Sequence, residues 1–284
     1  MIPPRILLAA SDLRPKKRLG QHFLADPSIA EMIVTRSGIS SESVVLEIGA
    51  GLGALTLPLA RAAEKVYAVE KDREIIKILK TQLLTGNLSN VELMEEDILR
   101  VNIEAIAEKA GCRLVVMGNL PYNISSQVLV QLIRFRSVVS RAVLMFQKEL
   151  AQRITAQPGS KAYGRLTVML RSCAEVEKLA DIKAVHFFPR PKIDSEVLQV
   201  IFPKATKHSI DDEAFFFRVI KAAFGKRRKT LKNALAGTIL GIDTGDALAG
   251  LENAGIDPTR RAETLSVTEF VVLSKTLYNF KRES

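Results

Sequence analysis

Between about residues 43 and 200, short apolar runs alternate with longer amphipathic segments, and this alternation most constrains the fold. The runs VVLEIG, VYAVEKD, VELMEED, RLVVMGNL and RAVLMFQ have strand length, and REIIKILKTQLL has the periodicity of a helix. Such alternation is typical of βαβ units around a parallel sheet. EVLQVIF, late in the series, alternates apolar and polar residues and predicts an antiparallel strand at the edge. The sequence therefore predicts an α/β fold with a twisted, mostly parallel sheet.

A second domain is predicted near residue 203. The stretch IFPKATKHSIDDEAF mixes proline, lysine, serine and aspartate, as boundaries between domains do, and the chain after it has only helical patterns. We therefore divide the chain into an α/β domain, residues 1–203, and a smaller all-α domain, residues 204–284.

The composition favours a polyanionic partner. The chain has 41 Lys and Arg against 31 Asp and Glu, and the net charge of +10 suits nucleic acid or an acidic membrane surface without choosing between them. Two cysteines without Cys-x-x-Cys spacing and three separated histidines predict that no metal is bound. No apolar run has the length of a membrane helix, and the N-terminal apolar patch is too short for a secretory signal, although an organellar transit segment stays open.

A glycine-rich turn follows the first predicted strand and precedes a helix near Leu55. Glycines at 49, 51 and 53 let the backbone turn sharply and approach a ligand, while the helix offers free N–H groups. The spacing is Gly-x-Gly-x-Gly, whereas a site for a dinucleotide pyrophosphate calls for Gly-x-Gly-x-x-Gly. Gly49 and Gly51 are therefore predicted to bind a nucleotide-like ligand without phosphates.

Two carboxylates end the next two strands. Glu70 lies 21 residues after Gly49, the distance at which an acidic residue in this layout accepts hydrogen bonds from ribose hydroxyls. Asp97 ends the following strand region and can accept from an adenine amine, with the Ile98 N–H available to the ring. Together with the glycine turn, these strand ends predict an adenosine pocket.

The segment 118–123, Gly-Asn-Leu-Pro-Tyr-Asn, follows the apolar strand RLVVM at the edge where open α/β sheets bind their ligands. It resembles the Asn/Asp/Ser-Pro-Pro-Tyr/Phe box of methyltransferases that act on exocyclic amines. Leu120 stands where the DNA enzymes usually carry a first proline, and a leucine at that position points toward enzymes of ribosomal RNA.

The chemistry of an adenine amine explains this box. The amine donates its lone pair into the ring and is a poor nucleophile until hydrogen bonds to its protons weaken that conjugation. The Asn119 side-chain oxygen and the Leu120 carbonyl can accept both N–H groups and aim the lone pair at a sulfonium methyl group. Pro121 stiffens the turn, and Tyr122 offers a flat face on which an extruded adenine can stack. No dedicated general base is needed, because a methylated, cationic nitrogen is strongly acidic.

Four segments together resemble one family. Residues 14–24, 47–53, 119–125 and 187–195 are similar to those of the bacterial small-subunit ribosomal RNA adenine N6-dimethyltransferases of the KsgA/RsmA type. The resemblance implies a class I S-adenosylmethionine-dependent methyltransferase fold with a seven-stranded sheet. It also implies transfer of methyl groups from S-adenosylmethionine to two adjacent adenosines in the 3′-terminal hairpin of 16S ribosomal RNA, within a 30S precursor. We expect a cytoplasmic monomer that does not bind membranes.

The resemblance also assigns residues. His22 and Leu24 match positions that line the methionine side of the cofactor, although many relatives have asparagine in place of His22. Phe187 matches an aromatic residue that closes on the target base opposite Tyr122. The family's other cofactor contacts fall on residues already assigned to the pocket: Gly49, Glu70, Asp97 and Asn119.

A basic run, Lys226-Arg227-Arg228-Lys229, precedes a predicted helix in the second domain. Cations at a helix N-terminus oppose the helix dipole, so the run favours phosphate binding over a purely stabilising role. With residues 14–18 it would give RNA two positive contacts and a salt-sensitive affinity.

Three alternatives stay open. A resistance-type dimethyltransferase of large-subunit RNA would share the pocket, although Leu120 and the Phe-x-Pro-x-Pro-Lys segment argue against it. A binding protein that kept the fold without catalysis is opposed by intact Asn119, Tyr122 and Glu70. A nicotinamide-dependent dehydrogenase is opposed by the glycine spacing.

Overall fold

The structure is a computed structural model that describes residues 2–205 and 208–283. Its strands are β1 (Phe23–Leu24), β2 (Val44–Ile48), β3 (Lys65–Glu70), β4 (Val91–Glu95), β5 (Leu114–Asn119), β6 (Val139–Gln147), β7 (Glu175–Ile182), β8 (Phe187–Phe188) and β9 (Ser195–Ile201). Its helices are α1 (Pro4–Ala10), α2 (Pro27–Arg36), α3 (Thr56–Ala62), α4 (Arg73–Thr85), α5 (Ile103–Ala110), α6 (Ser125–Arg134), α7 (Lys148–Thr155), α8 (Arg165–Arg171), α9 (Glu213–Gly225), α10 (Leu231–Leu235), α11 (Thr244–Asn253) and α12 (Val267–Glu283). Short 3-10 helices cover Lys17–Leu19, Ala184–His186 and Ala262–Thr264.

Seven strands form one sheet in the order β4-β3-β2-β5-β6-β9-β7. The pairs β3–β4, β2–β3, β2–β5 and β5–β6 are parallel, and β6–β9 is antiparallel. The predicted mostly parallel, seven-stranded sheet is therefore confirmed. β9 is antiparallel as predicted but does not lie at the edge, because β7 lies outside it. The sequence of β7, EVEKLADI, is charged and largely exposed, so it lacks the apolar pattern of a strand.

The central strands have near-continuous apolar sequences because helices cover both faces of a parallel sheet. Every residue of β2 is buried, and β5 is buried up to Gly118. β4, at the edge, has intermediate or exposed residues throughout. The carboxyl ends of β2, β3 and β5 therefore lie at a well-supported edge of the sheet.

Helix α4 shows how these helices form. Asp72 is its N-cap, and its carboxylate accepts a hydrogen bond from the Glu74 N–H at 3.3 Å. Its apolar residues recur at helical spacing and form one buried face. That face consists of Ile75, Ile78, Leu79 and Leu83.

The chain divides into two compact units. One contains Met1–Ala151 and Val176–Phe202 and includes the sheet; the other contains Gln152–Glu175 and Pro203–Ser284. The second division falls next to the predicted boundary at residue 203. Residues 152–175, which the prediction assigned to the α/β domain, group with the helical unit instead, where α8 packs against α9.

The helical unit has an aromatic core of its own. In it α9 packs against α10 and α12, and Phe224 of α9 contacts the rings of Tyr163 and Phe270. Phe215 and Phe216 of α9 are fully buried. In the part of the chain that the structure describes, no helix has both the length and the apolar character needed to span a membrane.

We predict that Gly118→Ala destabilises the sheet unit. A Cβ at Gly118 would lie 2.7 Å from the Ile48 carbonyl oxygen, in the centre of the parallel ladder. Such overpacking costs about 1–3 kcal/mol in the free energy of unfolding, measurable by urea denaturation. Gly225→Ala is the control, since a Cβ there meets nothing within 4 Å. Equal stabilities of the two variants would contradict the prediction.

Candidate active site

A pocket lies at the carboxyl ends of β2, β3 and β5, where parallel strands of an open sheet bring their following loops together. We call it the strand-end pocket. It contains ten of the predicted site residues. These are His22, Leu24, Gly49, Gly51, Glu70, Asp97, Ile98, Asn119, Leu120 and Tyr122.

The glycine turn forms one wall of this pocket. Gly49, Gly51 and Gly53 all have positive φ angles, of 71°, 54° and 83°, which side chains with a Cβ rarely adopt. The Gly49 N–H donates to the Val69 carbonyl at 2.9 Å, and the Gly51 N–H donates to Glu70 Oε2 at 3.0 Å. The glycines are therefore required by the backbone conformation of the turn.

Glu70 fixes that turn while it lines the pocket. Its Oε1 accepts hydrogen bonds from the backbone N–H groups of Lys71 and Asp72, both at 2.8 Å. Burial raises the pKa of Glu70, although these N–H groups and that of Gly51 oppose the rise. Glu70 thus has a structural role in addition to the predicted contact with a ribose.

Asp97 is held as an ionised acceptor. The Lys71 ammonium contacts its Oδ2 at 2.7 Å, and the Leu99 N–H donates to its Oδ1 at 3.1 Å. The hydrogen bond from Lys71 is the main cause that lowers the pKa of Asp97. The adjacent Ile98 is buried.

His22 has a defined tautomer. Its Nδ1 lies 2.7 Å from the Pro189 carbonyl oxygen, which can only accept, so Nδ1 carries the proton. The His22 ring stacks on Tyr122, with ring centroids 5.6 Å apart and an angle of 27° between the planes. Leu24 is buried in β1 beside the same pocket.

Lys16, Gln21 and Asp72 form a cluster that we call the latch. Asp72 accepts from Lys16 Nζ at 2.7 Å and from Gln21 Nε2 at 2.9 Å, and Gln21 Oε1 accepts from the Lys16 N–H at 2.7 Å. Burial raises the pKa of Asp72, but the Lys16 and Gln21 hydrogen bonds outweigh this and hold it below its usual range. The latch fastens residues 16–21 to the start of α4, next to Glu70.

The orientation of Asn119 is set by the N-terminal segment. Its Nδ2 donates to the His22 carbonyl at 2.9 Å, which leaves Oδ1 as the atom able to accept from a ligand. The turn after it is stiffened by the Ser125 hydroxyl, which donates to the Pro121 carbonyl at 3.0 Å. Tyr122 is half-buried; its hydroxyl lies 3.4 Å from Ser195 Oγ, and burial raises the pKa of Tyr122.

Phe187 is not placed where the prediction put it. It is 4% exposed, belongs to the main hydrophobic core and does not line the strand-end pocket. The physical reason is that β8 pairs with β1, with Phe187 opposite Leu24, so its ring packs into the sheet core. In this structure Phe187 is a core residue, and its contact with a target base stays a prediction.

The basic run lies in the helical unit, between α9 and α10. Lys226, Arg228 and Lys229 are exposed, whereas Arg227 pairs with Glu263 and also donates to the Lys161 carbonyl. The run directly follows the C-terminal end of α9, where cations are favourable. The run also directly precedes Thr230, the N-cap of α10, as predicted, so the dipoles of the two helices act on it in opposite directions. The exposure of three cations is the further feature that favours an anionic partner.

Two site residues were not assigned from the sequence. Glu47 lines the strand-end pocket from within buried β2, and a charged residue inside the apolar run VVLEIG was the signal for it. Asp72 was recognisable as a helix N-cap, but its partners Lys16 and Gln21 are more than fifty residues away in the sequence. Among the described residues, no group of three histidine, cysteine or acidic side chains is placed to hold a metal ion.

Comparison with known proteins identifies the family of this chain. Residues 13–278 match the family model described as ribosomal RNA adenine dimethylase. The chain belongs to this family. A dimethylase relative from Desulforapulum autotrophicum, named ribosomal RNA small subunit methyltransferase A, is 52% identical over 98% of both chains.

Solved structures agree with the fold of the dimethylase family. A dimethyladenosine transferase from Plasmodium falciparum has a TM-score of 0.78 and 27% identity, covering 92% of this chain and 98% of its own. The 23S rRNA methyltransferase ErmE has a TM-score of 0.69 and 22% identity, covering 90% and 99%, and shows a shared fold alone. The predicted fold class is confirmed.

We predict that the latch is cooperative. Lys16→Met and Asp72→Asn should each speed amide hydrogen exchange in residues 16–24, because either change removes the charged hydrogen bond that fastens them. In unfolding experiments the two changes should be non-additive by about 1 kcal/mol, as expected for residues in contact.

The matched control for the latch is Lys17→Met, a neighbouring lysine that is exposed and has no ion pair among the described residues. It should leave the exchange of residues 18–24 unchanged. Additive effects of Lys16→Met and Asp72→Asn would show that the latch does not act as a unit.

Proposed function

We propose that this chain is an S-adenosylmethionine-dependent enzyme that dimethylates N6 of two adjacent adenosines in the 3′-terminal hairpin of small-subunit ribosomal RNA. It acts as a cytoplasmic monomer on a 30S precursor. The proposal combines the membership of the ribosomal RNA adenine dimethylase family with the name of the 52% identical relative, a small-subunit methyltransferase.

The observation that carries the proposal is the orientation of Asn119. The hydrogen bond from its Nδ2 to the His22 carbonyl fixes the amide group, and Oδ1, the acceptor of the amide, is the atom that can bind an N–H of the target amine. With the Leu120 carbonyl as the second acceptor, the amine nitrogen is held closer to tetrahedral and its lone pair is localised. Acceptors placed in advance stabilise the transition state more than the ground state.

The strand-end pocket suits S-adenosylmethionine. Gly51 brings the backbone close to a ligand; a Cβ there would lie 3.3 Å from the Phe23 ring. Glu70 and Asp97 supply acceptors for ribose hydroxyls and for the adenine amine, and Leu24 and His22 flank the remaining side. When bound, S-adenosylmethionine supplies an electrophilic methyl group on a sulfonium sulfur.

Tyr122 holds the target base. It is half-buried, so an extruded adenine would gain stacking of about 1–3 kcal/mol on its free face. His22 already stacks on this ring and limits its movement. After each transfer the cationic nitrogen loses one proton to water without a dedicated base, so it carries one N–H after the first transfer and none after the second.

RNA binding is supported by unpaired cations in each unit, considered separately. Arg14, Lys17 and Arg18 are exposed and have no ion pair among the residues that the structure describes, whereas Lys16 is bound in the latch. In the helical unit Lys226, Arg228 and Lys229 are exposed in the same way. Phosphate contacts of this kind position a substrate without reading its sequence.

The test is incubation of the enzyme with labelled S-adenosylmethionine and small subunits that lack the modification, followed by mapping of the methylated nucleotides. We expect label on two adjacent adenosines of the small-subunit RNA. Label confined to large-subunit RNA would favour the alternative of a large-subunit dimethyltransferase. Cofactor binding without any transfer would favour a non-catalytic protein.

We predict that Asn119→Ala removes most turnover while cofactor affinity stays within a few-fold. The lost acceptor acts mainly as the amine changes geometry, so kcat should fall by about 100-fold or more, as for other preorganised hydrogen bonds. Single-turnover kinetics and calorimetry measure the two quantities separately. Turnover close to that of the wild type would refute the role of Asn119.

We also predict that replacing Lys226, Arg228 and Lys229 with alanine weakens binding to small-subunit RNA. Each lost phosphate contact should make log affinity against log salt shallower by about 0.7–0.9. Arg227 is left in place, because it holds Glu263 within the helical unit.

The matched control for the basic run removes Arg73, Lys77 and Lys80, three exposed cations of α4, and changes the net charge equally. If both triple variants lose the same affinity, the effect is one of overall charge and the run makes no direct contact. If neither loses any, the RNA docks elsewhere.

A further inference from the structure

A buried carboxyl group in the strand-end pocket has no role so far. Glu47 is 2% exposed on the central strand β2 and lines the pocket, yet its Oε2 makes no hydrogen bond within the described residues. Burial of a carboxylate without a hydrogen-bond partner destabilises the fold. A carboxylate with a purely structural role would be expected to have such a partner. A buried acceptor that lacks a hydrogen-bond partner and lies beside a ligand site can interact with a group that the ligand itself supplies.

The surroundings of Glu47 favour its neutral form in the protein without ligand. Its backbone neighbours, Ala68 of β3 and Met117 of β5, carry no charge. Glu70 is an acid and disfavours a second negative charge, and the Thr56 hydroxyl of α3 favours ionisation only weakly, because its Oγ1 has no hydrogen-bond partner among the described residues. Arg18 and Lys71 also line the pocket, but Lys71 is paired with Asp97 and neither cation lowers the pKa of Glu47. Burial raises the pKa of Glu47 to about 8, so the acid form dominates at neutral pH.

We propose that Glu47 makes the pocket selective for the charge of its occupant: it ionises when a cationic sulfonium cofactor binds and takes up a proton when the neutral thioether product remains. The inference rests on the proposed function. Cofactor and product have nearly the same shape but differ by one positive charge, because the electron pair of the broken C–S bond stays on sulfur. Glu47 would be negative beside the cationic cofactor and neutral beside the product. The product would therefore lack the charge attraction that helps to bind the cofactor.

The proposal predicts the direction in which a proton moves when the cofactor binds. Binding of the cation lowers the pKa of Glu47, so one carboxyl proton passes to solvent, and cofactor affinity rises with pH until the group is ionised in the free protein. Between the two pKa values the affinity should change by up to about tenfold per pH unit. Binding of the thioether should release no proton from Glu47 and should not follow this dependence.

The experiment is calorimetry of the full-length protein with S-adenosylmethionine and with S-adenosylhomocysteine, in buffers of different ionisation enthalpy at about pH 7. We expect release of a large fraction of a proton for the sulfonium only. Glu47→Gln, nearly equal in shape, should abolish that release and reduce the preference for cofactor over product several-fold. Glu196→Gln, at another buried glutamate of the same sheet outside the pocket, is the matched control and should behave as the wild type.

A second measurement serves if Glu47→Gln does not fold. Difference infrared spectroscopy of the wild-type protein should show loss of a protonated carboxyl band on addition of S-adenosylmethionine and no loss with S-adenosylhomocysteine. Equal proton release for both ligands, or none with either, overturns the inference while leaving the proposed function intact. Failure of S-adenosylmethionine to bind at all overturns both.

Discussion

The Glu70 carboxylate connects the parts of the active site that lie far apart in the sequence. One oxygen fixes the glycine turn after β2 through Gly51, and the other accepts from the first residues after β3, including Asp72. Asp72 in turn caps α4 and holds Lys16 and Gln21 of the N-terminal segment. Because both acids are largely withdrawn from water, these charged hydrogen bonds are strong, and the pocket walls are held before any ligand arrives.

The parts of the site that follow from local patterns were predictable from the sequence. Strand length and spacing locate Gly49, Glu70, Asp97 and Asn119, since parallel strands place their carboxyl ends at one edge. The features that the sequence does not decide depend on tertiary packing. The aromatic character of Phe187 is equally compatible with a core and with a base-binding surface, and only the pairing of β8 with β1 decides for the core. The edge strand β7 was missed because its residues are mostly exposed and charged.

The residues of the strand-end pocket and the exposed residues near the N-terminus carry mostly opposite charges. The strand-end pocket carries Glu47, Glu70 and Asp97, which suit a cationic ligand, whereas Arg14 and Lys17 are exposed, do not line the pocket and suit a polyanion. Arg18 is exposed as well and also lines the pocket. The two groups differ in burial, because the acids are less exposed than these cations. Charges withdrawn from water are screened less by salt, whereas exposed charges are screened within about 8–10 Å. The acids are therefore suited to small ligands, and the exposed cations to a polyanion.

His22 shows how a position can keep its function while its side chain varies. The contact that orients Asn119 is made by the backbone carbonyl of His22, which any residue provides. The imidazole adds a stack on Tyr122 and a hydrogen bond to the Pro189 carbonyl, and an asparagine amide can also donate to a carbonyl. An asparagine at position 22 would therefore be compatible with an unchanged Asn119 acceptor. The imidazole stack, by contrast, restrains the Tyr122 ring and makes no contact with the Asn119 side chain, so a change of the His22 side chain should alter the proposed base platform rather than the proposed acceptor.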